Sequence, residues 1–318
     1  MAMAGLSGST NPRVRTALAA LAAGGPSDVA SAVDLLETAA RDGEADACAR
    51  LAALAAAGVG MARDLERALD LLAEAARLGS REAQAQFEAL AAGWHDAPTQ
   101  AEPWREPRAS PRLEAWLAPC AKVVVSASPR VVAIEAFLPR AVCQRLIALA
   151  TGRLTRARVY GPQGEARLAT GRSNAAFEFA FVDCDVVTHL VRARIAATLG
   201  VPVGALEPSQ ILHYDVGEAF ALHHDYLDPA LAAGAAEIAA HGQRMATFLA
   251  YLNADYEAGE TAFPRLELRH RGRPGGALYF ANLDPAGAGD PRTLHAGLAP
   301  TQGEKWVFSQ WIRNRARV

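Results

Sequence analysis

Between Gly93 and Pro111 the chain runs through His95-Asp-Ala-Pro98, Glu102-Pro-Trp-Arg-Glu-Pro107 and Ser110-Pro111, and the residues on its two sides cannot build the same kind of layer. Prolines at this density remove backbone donors and bias their predecessors away from the helical region, so the run reads as a linker. Before it, alanine and leucine recur at helical spacing. After it, short β-branched runs alternate with Gly, Pro and Asp. A chain of 318 residues has room for two domains. The expected division is an all-α region over 1–93, a Pro-rich linker over 94–115 and an α+β domain over 116–318.

The first region repeats itself. Ala32-Val-Asp-Leu-Leu-Glu-Thr-Ala-Ala-Arg-Asp-Gly43 matches Ala68-Leu-Asp-Leu-Leu-Ala-Glu-Ala-Ala-Arg-Leu-Gly79, an offset of 36 residues from Ala32 to Ala68. Leucines face a neighbour, paired alanines allow close approach, and a glycine supplies a left-handed helix end. Ala47–Ala57 reads as the helix between the copies, with Gly58-Val-Gly60 and Asp64 as the turn. The pattern resembles tetratricopeptide-like repeats of the Sel type over about residues 28–92. That resemblance implies protein contacts and no chemistry of its own.

In the second region, Lys122–Ser126, Val131–Glu135, Gln210–Tyr214, Met245–Leu252, Gly276–Phe280 and Lys305–Trp311 read as strands. Arg140–Ala150 and Val186–Gly200 read as helices, the latter stopped by Gly200 and Pro202. Many short strands predict a sandwich or barrel, with these helices buttressing one face. Asp228–Gly242, rich in Ala and Gly, reads as either a lid or a surface helix.

The chemistry centres on Phe220-Ala-Leu-His223-His224-Asp225-Tyr226. On a strand, residues two apart share a side, so His223 and Asp225 can reach one metal while His224 faces away. His295 in Arg292-Thr-Leu-His295-Ala-Gly297 is the third donor. Two imidazoles and one carboxylate leave positions open for a chelating cosubstrate and O2 on Fe(II). Lys305 follows ten residues after His295, a step that predicts an adjacent strand pointing into the same barrel. The chain otherwise writes arginine, its only lysines being Lys122 and Lys305, and a lysine here suits a carboxylate in a confined site.

From about Pro129 to its end the chain resembles the prolyl 4-hydroxylase group of 2-oxoglutarate and Fe(II) dioxygenases. The resemblance is carried by Gly171-Arg-Ser-Asn174, Glu207-Pro-Ser-Gln210, His213-Tyr214, Gly217, His223 and Asp225. It continues through His241-Gly-Gln-Arg244, Tyr251-Leu252, Gly259-Glu-Thr261, Phe263-Pro264, His295, Lys305-Trp306 and Trp311. It implies a double-stranded β-helix (jelly-roll) domain with His223, Asp225 and His295 on iron and Lys305 on the distal carboxylate of 2-oxoglutarate. Tyr214 and Thr261 would donate hydroxyls to that cosubstrate, and Arg172 would lie near the substrate mouth. The implied reaction hydroxylates a C–H of a prolyl or other residue of a peptide or protein, releasing succinate and CO2, with ascorbate as a further requirement. The family's Gly-Gly-Gln-Arg and Gly-Gly-Glu-Thr begin here with His241 and Ala258, and its Arg-Thr-Ser reads Gly-Arg-Ser. These departures bear on the substrate, for which a small molecule is the alternative. His213 and His224 are expected to be structural.

The net charge of −2 asks for neither nucleic acid nor an anionic membrane. Four scattered cysteines, without C-x-x-C spacing, fit a reducing cytoplasm. The alanine-rich run after Arg13 and Arg15 is too short for a leader of the usual form and continues into helical pattern. A different class of function is a protein-binding module in which the repeats act and the barrel is catalytically idle. Retention of every donor weighs against it.

Overall fold

The computed structural model describes residues 10–93, 102–106, 111–156, 159–160, 166–167 and 171–316. The chain forms two compact units, Met1–Ala118 with Phe179–Arg194 and Pro119–Glu178 with Ile195–Val318. No described helix is long and apolar enough to cross a membrane.

The first unit begins with α1 (Pro12–Ala23), α2 (Pro26–Arg41), α3 (Ala45–Ala57), α4 (Leu65–Arg77) and α5 (Arg81–Ala91). Side chains of Asn11, Asp64 and Ser80 accept from first-turn N–H groups of α1, α4 and α5, satisfying donors that a helix start leaves open. The two sequence copies are α2 and α4, each followed by a glycine of positive φ, Gly43 at 85° and Gly79 at 92°. Leu36, Leu51 and Leu54 pack with Val14, Ala17 and Leu21 of α1 in a common core. Gly60 is obligatory in the turn after α3: its φ is 70°, and a Cβ there would lie 2.7 Å from Val33. Of the proline-rich run, residues 102–106 and 111–115 are described. Pro103–Arg105 is a single 3₁₀ turn with Trp104 buried, and α6 (Leu113–Leu117) buries Trp116.

The second unit carries the strands β1 (Val123–Ala127), β2 (Arg130–Ile134), β3 (Thr155–Arg156), β4 (Val159–Tyr160), β5 (Ala166–Arg167), β6 (Ala175–Glu178), β7 (Gln210–Tyr214) and β8 (Phe220–His223). They continue with β9 (Arg244–Tyr251), β10 (Tyr256–Ala258), β11 (Thr261–Phe263), β12 (Leu268–His270), β13 (Ala277–Ala281), β14 (His295–Gly297), β15 (Pro300–Gly303) and β16 (Lys305–Arg313). The major sheet has the order β1-β2-β13-β9-β16-β7-β6-β3, and a smaller one the order β12-β11-β14-β8. Pairing is antiparallel throughout both. Side chains of both sheets meet in one core, where Phe263 of the small sheet packs edge-on against Phe280 of the large one at 5.0 Å. This is the expected jelly-roll, mixed with helices.

α7 (Arg140–Ala150) has the expected bounds, and α8 (Val186–Leu199) stops at Gly200, whose φ is 71°. The stretch after Asp228 forms α9 (Ala232–His241), tied at its C-terminal end by Arg313 to Glu237 at 2.7 Å and by Arg315 to the Ala239 carbonyl at 3.0 Å.

Ala258 stands where the family motif begins with glycine, and its φ is 56°. A Cβ in the left-handed region costs about 1–2 kcal/mol, whereas glycine pays about 0.5–1 kcal/mol of extra chain entropy. Ala258→Gly is therefore expected to stabilise the protein by up to about 1 kcal/mol, read as a higher urea midpoint at unchanged slope. A lower midpoint would mean the methyl group holds packing that outweighs the strain.

Candidate metal and cosubstrate site

Antiparallel register puts alternate residues of the large sheet on the inner face. Lys305 pairs with Tyr214, Val307 with Leu212 and Ser309 with Gln210 across β16 and β7. On the other side of β16, Ser309 pairs with Leu249 and Trp311 with Thr247 of β9. All of these residues line a single pocket enclosing about 470 Å³, part of it open to solvent. The intervening residues face away, and there His213 packs on Trp306 at 4.2 Å.

The small sheet supplies the opposite wall. His223 of β8 and His295 of β14 are directly paired, and Thr261 pairs with Gly297. A Cβ at position 297 would lie 2.9 Å from the Tyr214 hydroxyl, so this position needs glycine. β8 ends at His223, and Asp225 lies in a bend beyond it. The expected sharing of one strand face by His223 and Asp225 is thus replaced by a turn that swings the carboxylate inward. That turn is held by Gln243, whose side chain accepts from the Leu227 N–H at 2.8 Å and donates to the Leu227 carbonyl at 2.7 Å.

The three side chains converge. His223 Nε2 lies 3.5 Å from Asp225 Oδ1, and His295 Nε2 lies 3.4 Å from Asp225 Oδ2. Such separations are long for hydrogen bonds but suit donors each about 2.1 Å from one ion. The other group of metal-capable side chains among the described residues, His213 with Asp215 and Glu304, differs. There His213 Nε2 and Glu304 sit 2.7 Å apart, which is an ordinary hydrogen bond.

Both imidazoles are oriented from behind. His223 Nδ1 donates to the Ala221 carbonyl at 2.8 Å and His295 Nδ1 to the Thr293 carbonyl at 3.0 Å. That fixes the tautomer and leaves each Nε2 lone pair facing the carboxylate. Phe220 stacks on His223 at 3.6 Å, and Phe280 meets His295 edge-on at 4.8 Å. Burial lowers His295 to about 4, outweighing the attraction of Asp225, so it is neutral and able to ligate at pH 7. Burial alone would raise Asp225, but its polar surroundings, the donating Thr247 hydroxyl among them, hold it well below the usual carboxylate range.

Lys305 is 1 % exposed and forms no ion pair among the described residues. Its ammonium lies 4.8 Å from the centroid of the Tyr214 ring. Burial lowers it to about 8, with Glu260 acting in the opposite direction. The expectation that Lys305 stands on the strand adjacent to His295 is corrected: β14 belongs to the small sheet and β16 to the large one. The two residues meet across the pocket instead.

Tyr214, raised to about 12 chiefly by burial, and Thr261 also line this pocket. The Thr261 hydroxyl shares a 2.9 Å hydrogen bond with the Tyr251 hydroxyl. Arg172 is buried, with Nε donating to Asn174 at 3.1 Å and its guanidinium 4.3 Å from the Phe220 ring. Of the other motif residues, Glu207 receives two hydrogen bonds from Arg244, at 2.8 and 2.9 Å, and pairs with Arg313. That cluster braces β9 and β16 and stands outside the pocket. His224 Nε2 bonds the Pro291 carbonyl at 3.1 Å. The residues that sequence reasoning passed over are Thr247 and Asn282. Thr247 donates to Asp225 Oδ2 at 2.7 Å, and Asn282 donates to Thr247 at 3.0 Å.

Residues 209–313 match the family model of the 2OG-Fe(II) oxygenase superfamily. The chain is 30% identical over 210 residues to probable prolyl 4-hydroxylase 4 of Arabidopsis thaliana, covering 59% of this chain and 68% of that protein. It is 30% identical over 212 residues to prolyl 4-hydroxylase 1 of the same plant, covering 61% and 72%. The chain belongs to the prolyl 4-hydroxylase-like 2-oxoglutarate/Fe(II) oxygenases. Among solved structures it is similar to a viral collagen prolyl hydroxylase from Paramecium Bursaria Chlorella virus-1, at 26% identity and a TM-score of 0.45 over 57% of this chain and 95% of that one. As an oxygenase of this family it uses Fe(II) and 2-oxoglutarate, and the donor set in the pocket fits both.

Proposed function

We propose that this oxygenase hydroxylates a prolyl or other residue of a peptide or protein, with His223, Asp225 and His295 holding Fe(II) and Lys305 anchoring 2-oxoglutarate. The carrying observation is the pairing, across one pocket, of three converging donors with a buried cation that forms no ion pair among the described residues. When bound, the iron couples oxidative decarboxylation of 2-oxoglutarate, giving succinate and CO2, to hydroxylation of a substrate C–H. The protein's own share is geometric. Ala221 and Thr293 carbonyls aim the two imidazoles. Lys305 receives the distal carboxylate, with Tyr214 and Thr261 as hydroxyl partners lining the same wall. The apolar flank of Leu212, Leu249 and Val307 keeps water from the rest of the cosubstrate. Arg172 stands at the substrate side.

The prolyl reading is supported by the activity named for the Arabidopsis relatives. We propose ascorbate as the accompanying reductant and the cytoplasm as the location, in keeping with four cysteines scattered without C-x-x-C spacing. The helical repeats are proposed to bind a protein substrate or partner. Turnover of the true substrate unchanged by charge reversal along exposed α4 residues such as Glu66 and Arg67 would count against that.

The test of the site is anaerobic addition of Fe(II) and then 2-oxoglutarate, watching for a visible metal-to-ligand charge-transfer band. A proline-containing peptide set, screened by mass for gain of one oxygen, then tests the substrate class. A folded protein that gives no band would leave the idle-barrel alternative standing.

A further inference from the structure

We infer that Asn282 is a positioning residue that acts through Thr247 to fix which oxygen of Asp225 faces the metal. The inference rests on the site reading just proposed. The directions of the hydrogen bonds follow from the chemistry of the groups. An ionised carboxylate can only accept, so the 2.7 Å contact with Asp225 Oδ2 commits the single proton of the Thr247 hydroxyl. Towards Asn282, 3.0 Å away, the Thr247 oxygen can then only accept, so the amide must present its Nδ2. The reverse orientation would place Asn282 Oδ1 in competition for the same proton and strip it from Asp225.

That arrangement has a cost that remains visible. Asn282 Oδ1 is buried and has no partner among the described residues, an unfavourable state for an amide oxygen. Oδ2 gives one lone pair to Thr247 and also lies 3.4 Å from His295 Nε2, whereas Oδ1 receives no such donor and is the oxygen left better able to ligate. It faces His223 Nε2.

Asn282 cannot swing away, because its backbone is engaged on both sides. Its N–H donates to the Met245 carbonyl and its carbonyl accepts from the Asp290 N–H, both at 2.9 Å. Asp290 begins the turn to His295: its carbonyl accepts the Thr293 hydroxyl at 2.7 Å, and the Thr293 carbonyl holds His295 Nδ1. One fully buried residue thus connects the supports of Asp225 and His295.

The experiment measures the Kd of Mn2+ in the 2-oxoglutarate-saturated full chain, and the position of the anaerobic Fe(II) charge-transfer band, for Thr247→Val, Asn282→Leu and the double variant. Loss of an outer partner of a metal ligand weakens binding about 10–100-fold. Each single variant is expected to fall in that range with a displaced band, and the double variant to match Thr247→Val. Thr247→Ser, which keeps the hydroxyl, should restore wild-type values and stands in should Asn282→Leu fail to fold. Wild-type Kd and band position in Thr247→Val or Asn282→Leu, with only thermal stability reduced, would overturn the inference. So would effects that multiply in the double variant. Absence of Mn2+ binding in the wild type, or its survival in His295→Ala, would instead overturn the site reading itself.

Discussion

Lys305→Met is expected to raise the KM for 2-oxoglutarate by roughly 30-fold to 5000-fold while making the ligand-free protein more stable. Removing one member of a buried, hydrogen-bonded charge pair costs about 2–5 kcal/mol of binding, which sets the first figure. The second effect has the opposite sign because the ammonium is buried and forms no ion pair among the described residues. A methionine of similar length removes that desolvation cost, and a gain of about 1–3 kcal/mol is expected. The pH dependence follows. Burial lowers Lys305 from 10.5 to about 8. Below about 8 it is charged in both the folded and the unfolded chain, and the folded chain bears the full penalty. Between about 8 and 10.5 the unfolded chain keeps a proton that the folded one has released, so wild-type stability should rise with pH across that window. Affinity for 2-oxoglutarate should fall over the same range, since a neutral amine cannot pair with its carboxylate. Denaturant midpoints and charge-transfer titrations at pH 7 and 9 read both. Equal 2-oxoglutarate affinity in wild type and variant would remove Lys305 from the cosubstrate site.

His295→Ala should abolish the charge-transfer band and lower 2-oxoglutarate turnover by on the order of a thousandfold or more, which is about 4 kcal/mol or more. The side chain fills space between Phe263 and Phe280, so truncation leaves a hole and costs about 2 kcal/mol or more of stability. Free imidazole added to the variant is expected to occupy that hole and recover part of the band, which separates loss of a donor from loss of the fold. A variant that keeps the band without imidazole would rule His295 out as a ligand.

Much of the architecture was legible in the residue pattern. The alanine–leucine copies became α2 and α4, and the β-branched runs became β1, β2, β7, β9, β13 and β16. Helix period and strand alternation are local properties, and Gly43, Gly79 and Gly200 mark ends through their own backbone freedom. Donor chemistry was legible for the same reason: imidazole, carboxylate and ammonium are properties of single residues. His223, Asp225, His295 and Lys305 do line one pocket.

What failed locally was the geometry between those residues. Strand alternation was expected to bring Asp225 round to His223, yet the strand stops at His223 and a bend does the turning, braced by Gln243 just before β9. Lys305 and His295, ten residues apart, were expected on neighbouring strands and stand on opposing sheets. Nothing in the chain between them announces which partner each strand will choose, because that choice is made by β7 and β9 for one and by β8 and β11 for the other. Thr247 and Asn282 carried no signal of their own, being unexceptional residue types whose meaning lies in a 3.0 Å contact between β9 and the residue just after β13. The sequence by itself determined which elements form and which side chains can bind a metal or an anion. Only the tertiary structure decided which sheet each enters and which atom of each donor faces inward, since those depend on pairings between segments far apart in the chain.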